Sequence, residues 1–168
     1  MKPNSLAAAL MAAMAAIAAP NANAQSAPAI PGYTMGQKSL AKAPYTLAEL
    51  ESLKKTEAQV ADPNSNRTQY PTPDYAKNQY RSIKPEVFVG VGICSHLGCS
   101  PSDKFTPGPQ PSLPDDWAGG FLCPCHGSTF DMSGRVYKNK PAPDNLEVPP
   151  HMYLSDTSLV IGEDKKGA

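Results

Sequence analysis

The chain is organised around two short stretches, Cys94-Ser95-His96-Leu97-Gly98-Cys99 and Cys123-Pro124-Cys125-His126-Gly127-Ser128. Together they contain all 4 cysteines and two of the 3 histidines of the 168-residue chain. Each stretch offers a thiolate and an imidazole at close spacing, and both groups are common ligands of transition metals. The sequence therefore predicts a metal centre held between two loops.

The residue types favour a 2Fe–2S cluster of the Rieske kind, whose ligand set is two cysteines and two histidines. The predicted ligands are Cys94, His96, Cys123 and His126. Cys99 and Cys125 remain after this division, and they are placed to bond to each other.

Two alternatives use the same residues. A zinc site needs only four ligands, and zinc ribbons usually repeat Cys-x-x-Cys pairs. The spacings found here are Cys-x-His and Cys-x-x-His, each with a surplus cysteine. A disulfide scaffold without metal would not need the paired histidines. The sequence therefore favours the cluster over both alternatives.

The two stretches resemble the pattern of the Rieske iron–sulfur protein family, Cys-Thr-His-x-Gly-Cys followed by Cys-Pro-Cys-His-Gly-Ser, with Ser95 in place of the threonine. The similarity covers residues 44–168, including 75–86, 127–135 and 145–150, and is to members that serve bacterial cytochrome bc complexes. This resemblance implies a mostly β fold. We expect a Rieske-type antiparallel β-sandwich with a small inserted cluster-binding subdomain and one short helix.

The resemblance also implies how the residues are divided. The Rieske domain is expected to cover residues 45–168, with the cluster-binding subdomain at about 93–143. A disulfide is expected between Cys99 and Cys125. The surroundings of the cluster are expected to include Leu97, Gly98, Gly127 and Ser128.

In function, the resemblance implies the iron–sulfur subunit of a quinol–cytochrome c reductase, a redox subunit that is not catalytic alone. His126, with His96 beside it, is expected to contact ubiquinol and accept its proton. The electron then passes to a c-type cytochrome, while cytochrome b takes the second electron. The expected location is the bacterial inner membrane, with this domain on the periplasmic side. The alternatives are a small Rieske subunit of a periplasmic oxidase of the arsenite-oxidase type and a non-redox, metal-stapled binding module.

Charge counting links electron transfer to proton transfer at such a centre. Two ferric ions, two sulfides and two thiolates sum to zero when both imidazole ligands are neutral. One added electron makes the centre negative, which raises the pKa of its imidazole ligands. We therefore expect reduction and protonation to be coupled, as quinol oxidation requires.

Two positions near the centre depart from the family pattern. Phe130 stands where many members have a tyrosine whose hydroxyl bonds to a cysteine ligand, so we expect a lower reduction potential here. Lys140 stands where a glycine usually precedes the segment Pro141-Ala142-Pro143, which resembles the family's proline loop over the cluster. The hydroxyl of Ser128 is expected to donate a hydrogen bond to a sulfur of the centre.

Composition excludes some classes of function. The formal net charge is +0, from 15 basic and 15 acidic residues, so the chain lacks the basic character of a nucleic-acid-binding protein. The 19 prolines and 12 glycines indicate a loop-rich chain with little helix.

The N-terminal segment is predicted to lie outside the domain. Residues 6–19 form an uncharged apolar run that is too short to cross a bilayer comfortably, and Ala22-Asn23-Ala24 fits a signal cleavage site. We expect residues 1–24 to be a signal peptide or a membrane anchor. The composition favours the signal, whereas the resemblance implies an anchor. Residues 25–44 are expected to be a linker.

Capping and periodicity predict one helix over about residues 47–59. Thr46 and Glu49 have the spacing of a capping box, and Leu47, Leu50 and Leu53 recur at helical spacing on the side expected to face the core. No strand pattern is recognised before this helix.

Strands are predicted at residues 87–93, 120–122 and 134–138. The first two lead directly into the cysteine-containing stretches. Residues 151–154 and 158–161 predict a closing hairpin. The third histidine, His151, is expected to be an ordinary surface residue.

Overall fold

The computed structural model describes residues 39–42 and 45–165. Within them, the strands are β1 (Ser39–Lys42), β2 (Phe88–Val91), β3 (Ser102–Lys104), β4 (Gly120–Leu122), β5 (Thr129–Phe130), β6 (His151–Tyr153) and β7 (Leu159–Ile161). The α-helix, α1, spans Leu47–Thr56. Two 3₁₀ turns lie at Glu57–Gln59 and Asp74–Ala76.

The strands pair antiparallel in three small sheets. β1 pairs with β2, β4 lies between β3 and β5, and β6 pairs with β7 as the predicted closing hairpin. The predicted class, mostly β with antiparallel sheets and one short helix, is confirmed. The predicted signal or anchor at residues 1–24 lies outside the described residues. Among those that are described, no helix is both long enough and apolar enough to cross a membrane.

The predicted start of α1 is confirmed by its cap. The Thr46 hydroxyl accepts a hydrogen bond from the Glu49 N–H at 3.3 Å, and the Glu49 carboxylate accepts one from the Thr46 N–H at 2.8 Å. Together with the 3₁₀ turn that follows, the helix fills the predicted range. Leu53 is buried in the core, but Leu47 is 80% exposed, because the first turn of the helix extends beyond the core.

A buried cluster joins the β1–β2 sheet and the β3–β4–β5 sheet to the metal-binding stretches. Its largest fully buried side chains are Phe88, Phe121, Phe130, Leu53, Met132 and Leu146. Cys94 and Cys123 are members of the same cluster. The two loops that carry the predicted ligands therefore begin inside the core and not on a mobile surface.

Part of the predicted linker at residues 25–44 is wrong, because Ser39–Lys42 form β1. This strand lies beside β2 in register, with Ser39 opposite Val91 and Lys42 opposite Phe88. Its sequence has no β-branched residue, so local preference does not reveal it. Its pairing depends on the backbone of a buried strand that lies far along the chain.

The strand predicted at residues 134–138 is also wrong. The structure has only isolated bridges here, between Phe130 and Val136 and between Val60 and Tyr137. A tight turn after β5 brings the chain back with too few residues for a full strand. The strand predicted at 87–93 is confirmed but shorter, since β2 ends at Val91.

A buried ion pair holds this turn. The Asp131 carboxylate accepts hydrogen bonds from the N–H groups of Ser133 and Arg135 at 3.0 and 2.9 Å, and from the Arg135 Nε at 2.7 Å. The Arg135 guanidinium also donates to the carbonyl of Leu53 in α1. The pair therefore joins the turn to the helix.

Arg81 is a second buried arginine that joins distant segments. Its guanidinium donates to the hydroxyls of Ser65 and Thr72 and to the carbonyls of Ser133, Gly134 and Leu146. Burial lowers its pKa to about 10. These acceptors are uncharged, so the side chain acts as a hydrogen-bonding brace.

The expectation that His151 is a surface residue is wrong. Its side chain is 1% exposed, and its Nδ1 lies 2.9 Å from the carbonyl oxygen of Pro149. Its backbone N–H donates to the Tyr75 hydroxyl at 2.8 Å, and the two rings meet edge to face. His151 is therefore a hydrogen-bonded core histidine.

Candidate metal centre

The first loop is closed by backbone hydrogen bonds around Cys94. The Cys94 N–H donates to the carbonyl of Cys99 at 2.8 Å, and the Gly98 N–H donates to the carbonyl of Cys94 at 3.0 Å. These two bonds make the six residues a compact ring. Cys94, the first cysteine of this loop, follows β2 closely and lies in the core.

The second loop repeats this arrangement around Cys123. The Cys123 N–H donates to the carbonyl of Ser128 at 2.8 Å, and the Gly127 N–H donates to the carbonyl of Cys123 at 3.0 Å. The partners are five and four residues apart, as in the first loop. The two loops are therefore equivalent in backbone structure, although their sequences place histidine at different positions.

A glycine with positive φ occupies the same position in each loop. Gly98 has φ +81° and Gly127 has φ +74°, and among the described residues no neighbouring atom lies within 4 Å of where a Cβ would be. The requirement is therefore conformational and not one of space, since residues with a side chain adopt this region at a cost.

The four predicted ligands lie in two layers. The thiols of Cys94 and Cys123 are buried, with 1% and 2% exposure. The imidazole of His96 is half-buried and that of His126 is exposed. The two rings lie side by side, with centroids 4.7 Å apart and planes nearly perpendicular. The structure thus brings both pairs together, with sulfur inside and imidazole outside.

An unpartnered nitrogen supports metal binding by these side chains. The Nδ1 atom of His96 is buried, and no hydrogen-bond partner for it occurs in the part of the chain that the structure describes. A buried polar atom without a partner is costly. Coordination of a metal ion satisfies such a nitrogen, so the donor set fits a cluster with imidazole ligands.

Some neighbours of Cys94 raise the pKa of its thiol and others lower it. Burial raises the pKa of the Cys94 thiol, and the neighbouring Cys123 sulfur acts in the same direction. The backbone N–H of His96 and the hydroxyl of Ser128 donate hydrogen bonds to the Cys94 sulfur and act in the opposite direction. These two donors would stabilise negative charge on this sulfur.

The predicted Cys99–Cys125 disulfide is present and links the two loops, with a Cα–Cα distance of 6.5 Å. Its sulfurs are close to the inner ligand layer, because the Cys99, Cys123 and Cys125 sulfurs all lie within 4.8 Å of one another. The bridge therefore holds the second loop beside the first at the position of Cys123.

The proline segment is attached to both loops by serine hydroxyls. The Ala142 N–H donates to the Ser128 hydroxyl at 2.9 Å. The Ser95 hydroxyl donates to the carbonyl of Asp144 at 2.7 Å. The Arg67 guanidinium donates to the carbonyl of Pro143 and lies 3.6 Å from the Asp144 carboxylate. Sequence reasoning missed the roles of Ser95 and Arg67, since their partners are distant in the chain.

Leu97 and the two loop glycines lie on the outer side of the centre. Leu97 is 70% exposed, and Gly98 and Gly127 are exposed as well. Of the four residues expected around the cluster, Leu97, Gly98 and Gly127 are therefore exposed, whereas Ser128 is buried. An exposed leucine next to two imidazoles provides an apolar surface at this tip.

Comparison with protein-family models identifies the domain. Residues 66–150 match the model of the Rieske [2Fe-2S] domain, a range that includes both loops, the disulfide and the proline segment. The chain belongs to the Rieske [2Fe-2S] domain family. The cofactor of this Rieske domain is a 2Fe–2S cluster, and the zinc and metal-free alternatives are set aside. The assignment of individual ligands remains a prediction that the geometry supports.

Relatives from bacteria and plants resemble this Rieske domain. The ubiquinol-cytochrome c reductase iron-sulfur subunit of Allochromatium vinosum is 52% identical over 127 residues, which are 76% of this chain and 58% of that protein. The mitochondrial cytochrome b-c1 complex subunit Rieske-1 of Arabidopsis thaliana and the Rieske subunit of Solanum tuberosum are each 45% identical over 89 residues, 53% of this chain and 29% of theirs. The chain thus spans less than two thirds of the length of these relatives.

Proposed function

We propose that this chain is the iron–sulfur subunit of a quinol–cytochrome c reductase. It accepts one electron and a proton from ubiquinol and passes the electron to a c-type cytochrome, while cytochrome b takes the second electron of the quinol. As in the full complex, the chain alone is not catalytic, and proton translocation belongs to the assembly. The similarity to the Allochromatium vinosum subunit supports this role.

The observation that carries the proposal is the outward position of the imidazoles. His126 is exposed and lies against His96, whereas the thiols of Cys94 and Cys123 are buried. A proton acceptor at the surface and a dry interior behind it suit a substrate that docks at the tip and gives up an electron and a proton together.

Each group at the site has a separate proposed task. The bound 2Fe–2S cluster supplies one-electron redox chemistry, with Cys94, His96, Cys123 and His126 as its ligands. His126 orients the quinol hydroxyl by accepting its hydrogen bond and holds the proton, with His96 beside it. Leu97 excludes water from one side of the contact. Ser128 and the His96 N–H stabilise added negative charge at Cys94.

The partners and location follow from the same proposal. The chain associates with cytochrome b and a c-type cytochrome, and it reaches the bacterial inner membrane through that complex. Its domain lies on the periplasmic side, where a disulfide such as Cys99–Cys125 persists. No nucleic-acid partner is expected, because the formal net charge is +0.

The test is electron paramagnetic resonance of the dithionite-reduced chain during redox titrations at several pH values. We expect a rhombic signal with low average g and a potential that falls as the pH rises through the range where the oxidised centre loses a proton. A potential independent of pH would contradict proton uptake by the imidazoles. Purification with the subunits of an oxidase, and without cytochrome b, would favour the periplasmic oxidase instead.

A further inference from the structure

Three cysteine sulfurs form a group that differs from the predicted cluster ligands. The sulfurs of Cys99, Cys123 and Cys125 all lie within 4.8 Å of one another, and Cys94 is not a member. Only Cys123 belongs both to this group and to the predicted cluster site. Cys125 is exposed, Cys99 is half-buried and Cys123 is buried, so a path from solvent reaches the group through Cys125.

Reduction of the disulfide converts this group into three thiols. A phosphine reductant supplies two electrons, the two sulfurs of the bridge take up two protons, and the phosphine becomes its oxide with oxygen from water. The S–S bond of Cys99 and Cys125 is then broken. Rotation about the side-chain bonds is enough to separate these sulfurs, because the Cα atoms are already 6.5 Å apart.

The resulting spacing fits a tetrahedral thiolate site. Zinc binds cysteine sulfur at about 2.3 Å, which places two sulfurs of one tetrahedron roughly 3.8 Å apart. Three sulfurs within 4.8 Å need only small movements to reach that separation. Thiolates select soft cations such as Zn²⁺ and Cu(I), and a water molecule completes the fourth position of Zn²⁺.

We propose that the reduced, cluster-free chain has a second metal site, in which Cys99, Cys123 and Cys125 bind one Zn²⁺. The site goes beyond the proposed electron-transfer function and does not depend on it. It shares Cys123 with the cluster, so zinc and the cluster exclude each other. Formation of the Cys99–Cys125 bond removes two of the three zinc ligands and leaves Cys123 available to the cluster. The disulfide therefore excludes zinc from this three-cysteine site.

The test uses the full chain carrying Cys94→Ser, which keeps all three sulfurs but removes a predicted cluster ligand. Metal-free protein, either oxidised or reduced with a phosphine, is titrated with Zn²⁺ against a chromophoric chelator, and with Co²⁺ to observe thiolate-to-metal absorption. Because the oxidised chain keeps Cys123, His96 and His126, we expect weaker zinc binding and weaker thiolate-to-cobalt absorption from it than from the reduced chain, which offers three thiolates to one Zn²⁺. Equal binding by the two forms, or none by the reduced form, would overturn the proposal.

A matched variant tests which sulfurs bind. Adding Cys125→Ser to Cys94→Ser is expected to weaken zinc binding by at least the roughly 10–100-fold seen on loss of outer-shell partners. Unchanged affinity would overturn the site. The unsubstituted reduced chain is expected to bind zinc as tightly as Cys94→Ser does. Tighter binding by the unsubstituted chain would mean that Cys94, whose sulfur neighbours that of Cys123, also binds the metal, which contradicts a site of Cys99, Cys123 and Cys125 alone.

Discussion

Ser95 and Asp144 are joined by two hydrogen bonds although 49 residues separate them. The Ser95 hydroxyl donates to the Asp144 carbonyl at 2.7 Å and accepts from the Asp144 N–H at 3.2 Å. Ser95 lies between two predicted ligands of the first loop, and Asp144 follows the proline segment. This contact therefore fixes the position of the proline segment relative to the cluster.

Replacing Ser95 with alanine is expected to loosen that segment. Both backbone groups of Asp144 would lose their partner in a buried place, and leaving buried polar groups unsatisfied costs about 1–3 kcal/mol. Denaturant unfolding of the disulfide-intact chain measures this loss. Ser95→Thr, which restores the family residue and keeps the hydroxyl, serves as the control and is expected to stay near the parent. Equal destabilisation by both substitutions would show that crowding, not hydrogen bonding, matters at this position.

Ser128 attaches the same segment to the second loop but also contacts a sulfur. Its hydroxyl accepts from the Ala142 N–H at 2.9 Å and donates to the Cys94 sulfur. Ser128→Ala is expected to lower the reduction potential, because a donor to the thiolate favours the reduced state. A difference of about 1 kcal/mol corresponds to roughly 40 mV for one electron.

The comparison of Ser128→Ala with Ser95→Ala separates the two roles of the serines. Both variants loosen the proline segment, but only Ser128 donates to Cys94. Redox titration followed by circular dichroism or paramagnetic resonance is expected to show the larger fall in potential for Ser128→Ala. A fall of the same size in both variants would mean that solvent entry, and not the lost donor, lowers the potential.

The features that could be predicted from the sequence are those determined by local chemistry. The two cysteine-containing loops were recognisable because each ring closes within six residues and each needs a glycine at a fixed position, Gly98 or Gly127. The start of α1 was recognisable because Thr46 and Glu49 cap it within one turn. In both cases the interacting groups are neighbours in the chain.

The features that escaped prediction depend on distant partners. β1 exists because it pairs with β2, and its own residues give no strand signal. The buried position of Arg81 is possible because hydroxyls and carbonyls from other segments accept its hydrogen bonds, and that of His151 because its ring packs edge to face on the distant Tyr75. An arginine is mostly exposed and a histidine is intermediate in burial, so only the assembled fold reveals these two as buried residues.

Tyr45 is expected to make the folded protein less stable at alkaline pH. Its hydroxyl donates to the carbonyl of Met132 at 2.6 Å. Burial raises the pKa of Tyr45 above the ordinary value of 10.0, and the charge of Asp131 adds to this effect. A tyrosine whose folded pKa is raised contributes stability that is fully present below its unfolded pKa and is lost as the pH rises above it. We therefore expect unfolding to become easier above about pH 10.

The variant Tyr45→Phe tests this dependence. Between about pH 9 and 11, its free energy of unfolding is expected to fall less steeply than that of the parent, by up to about 1.4 kcal/mol per pH unit at the upper end. Arg81 has the opposite effect on the free energy of unfolding, which it raises as the pH rises above about 10, because its folded pKa of about 10 lies below its ordinary value of 12.5. This contribution cancels between parent and variant. Parallel pH profiles of the two proteins would contradict the role of Tyr45.

Phe130 offers a direct test of how the chain sets the potential of its cluster. Its ring is fully buried and its backbone pairs with that of Phe121, in the two strands that flank the second loop. Many Rieske proteins resemble this chain but have a tyrosine here, whose hydroxyl donates to a cysteine ligand. Phe130→Tyr is therefore expected to raise the reduction potential by about 40 mV for each kcal/mol that the new hydrogen bond favours the reduced state.

Phe130→Leu is the matched control, because it alters the packing without adding a donor. Removing the aromatic ring from the core is expected to cost about 1–3 kcal/mol of stability, with a smaller change in potential than in Phe130→Tyr. The potentials and unfolding free energies of both variants would be measured on cluster-loaded protein. A tyrosine variant that loads its cluster fully but keeps the parental potential would show that the hydroxyl does not reach a ligand sulfur. The potential would then have to depend on the donors already present, the Ser128 hydroxyl and the His96 N–H.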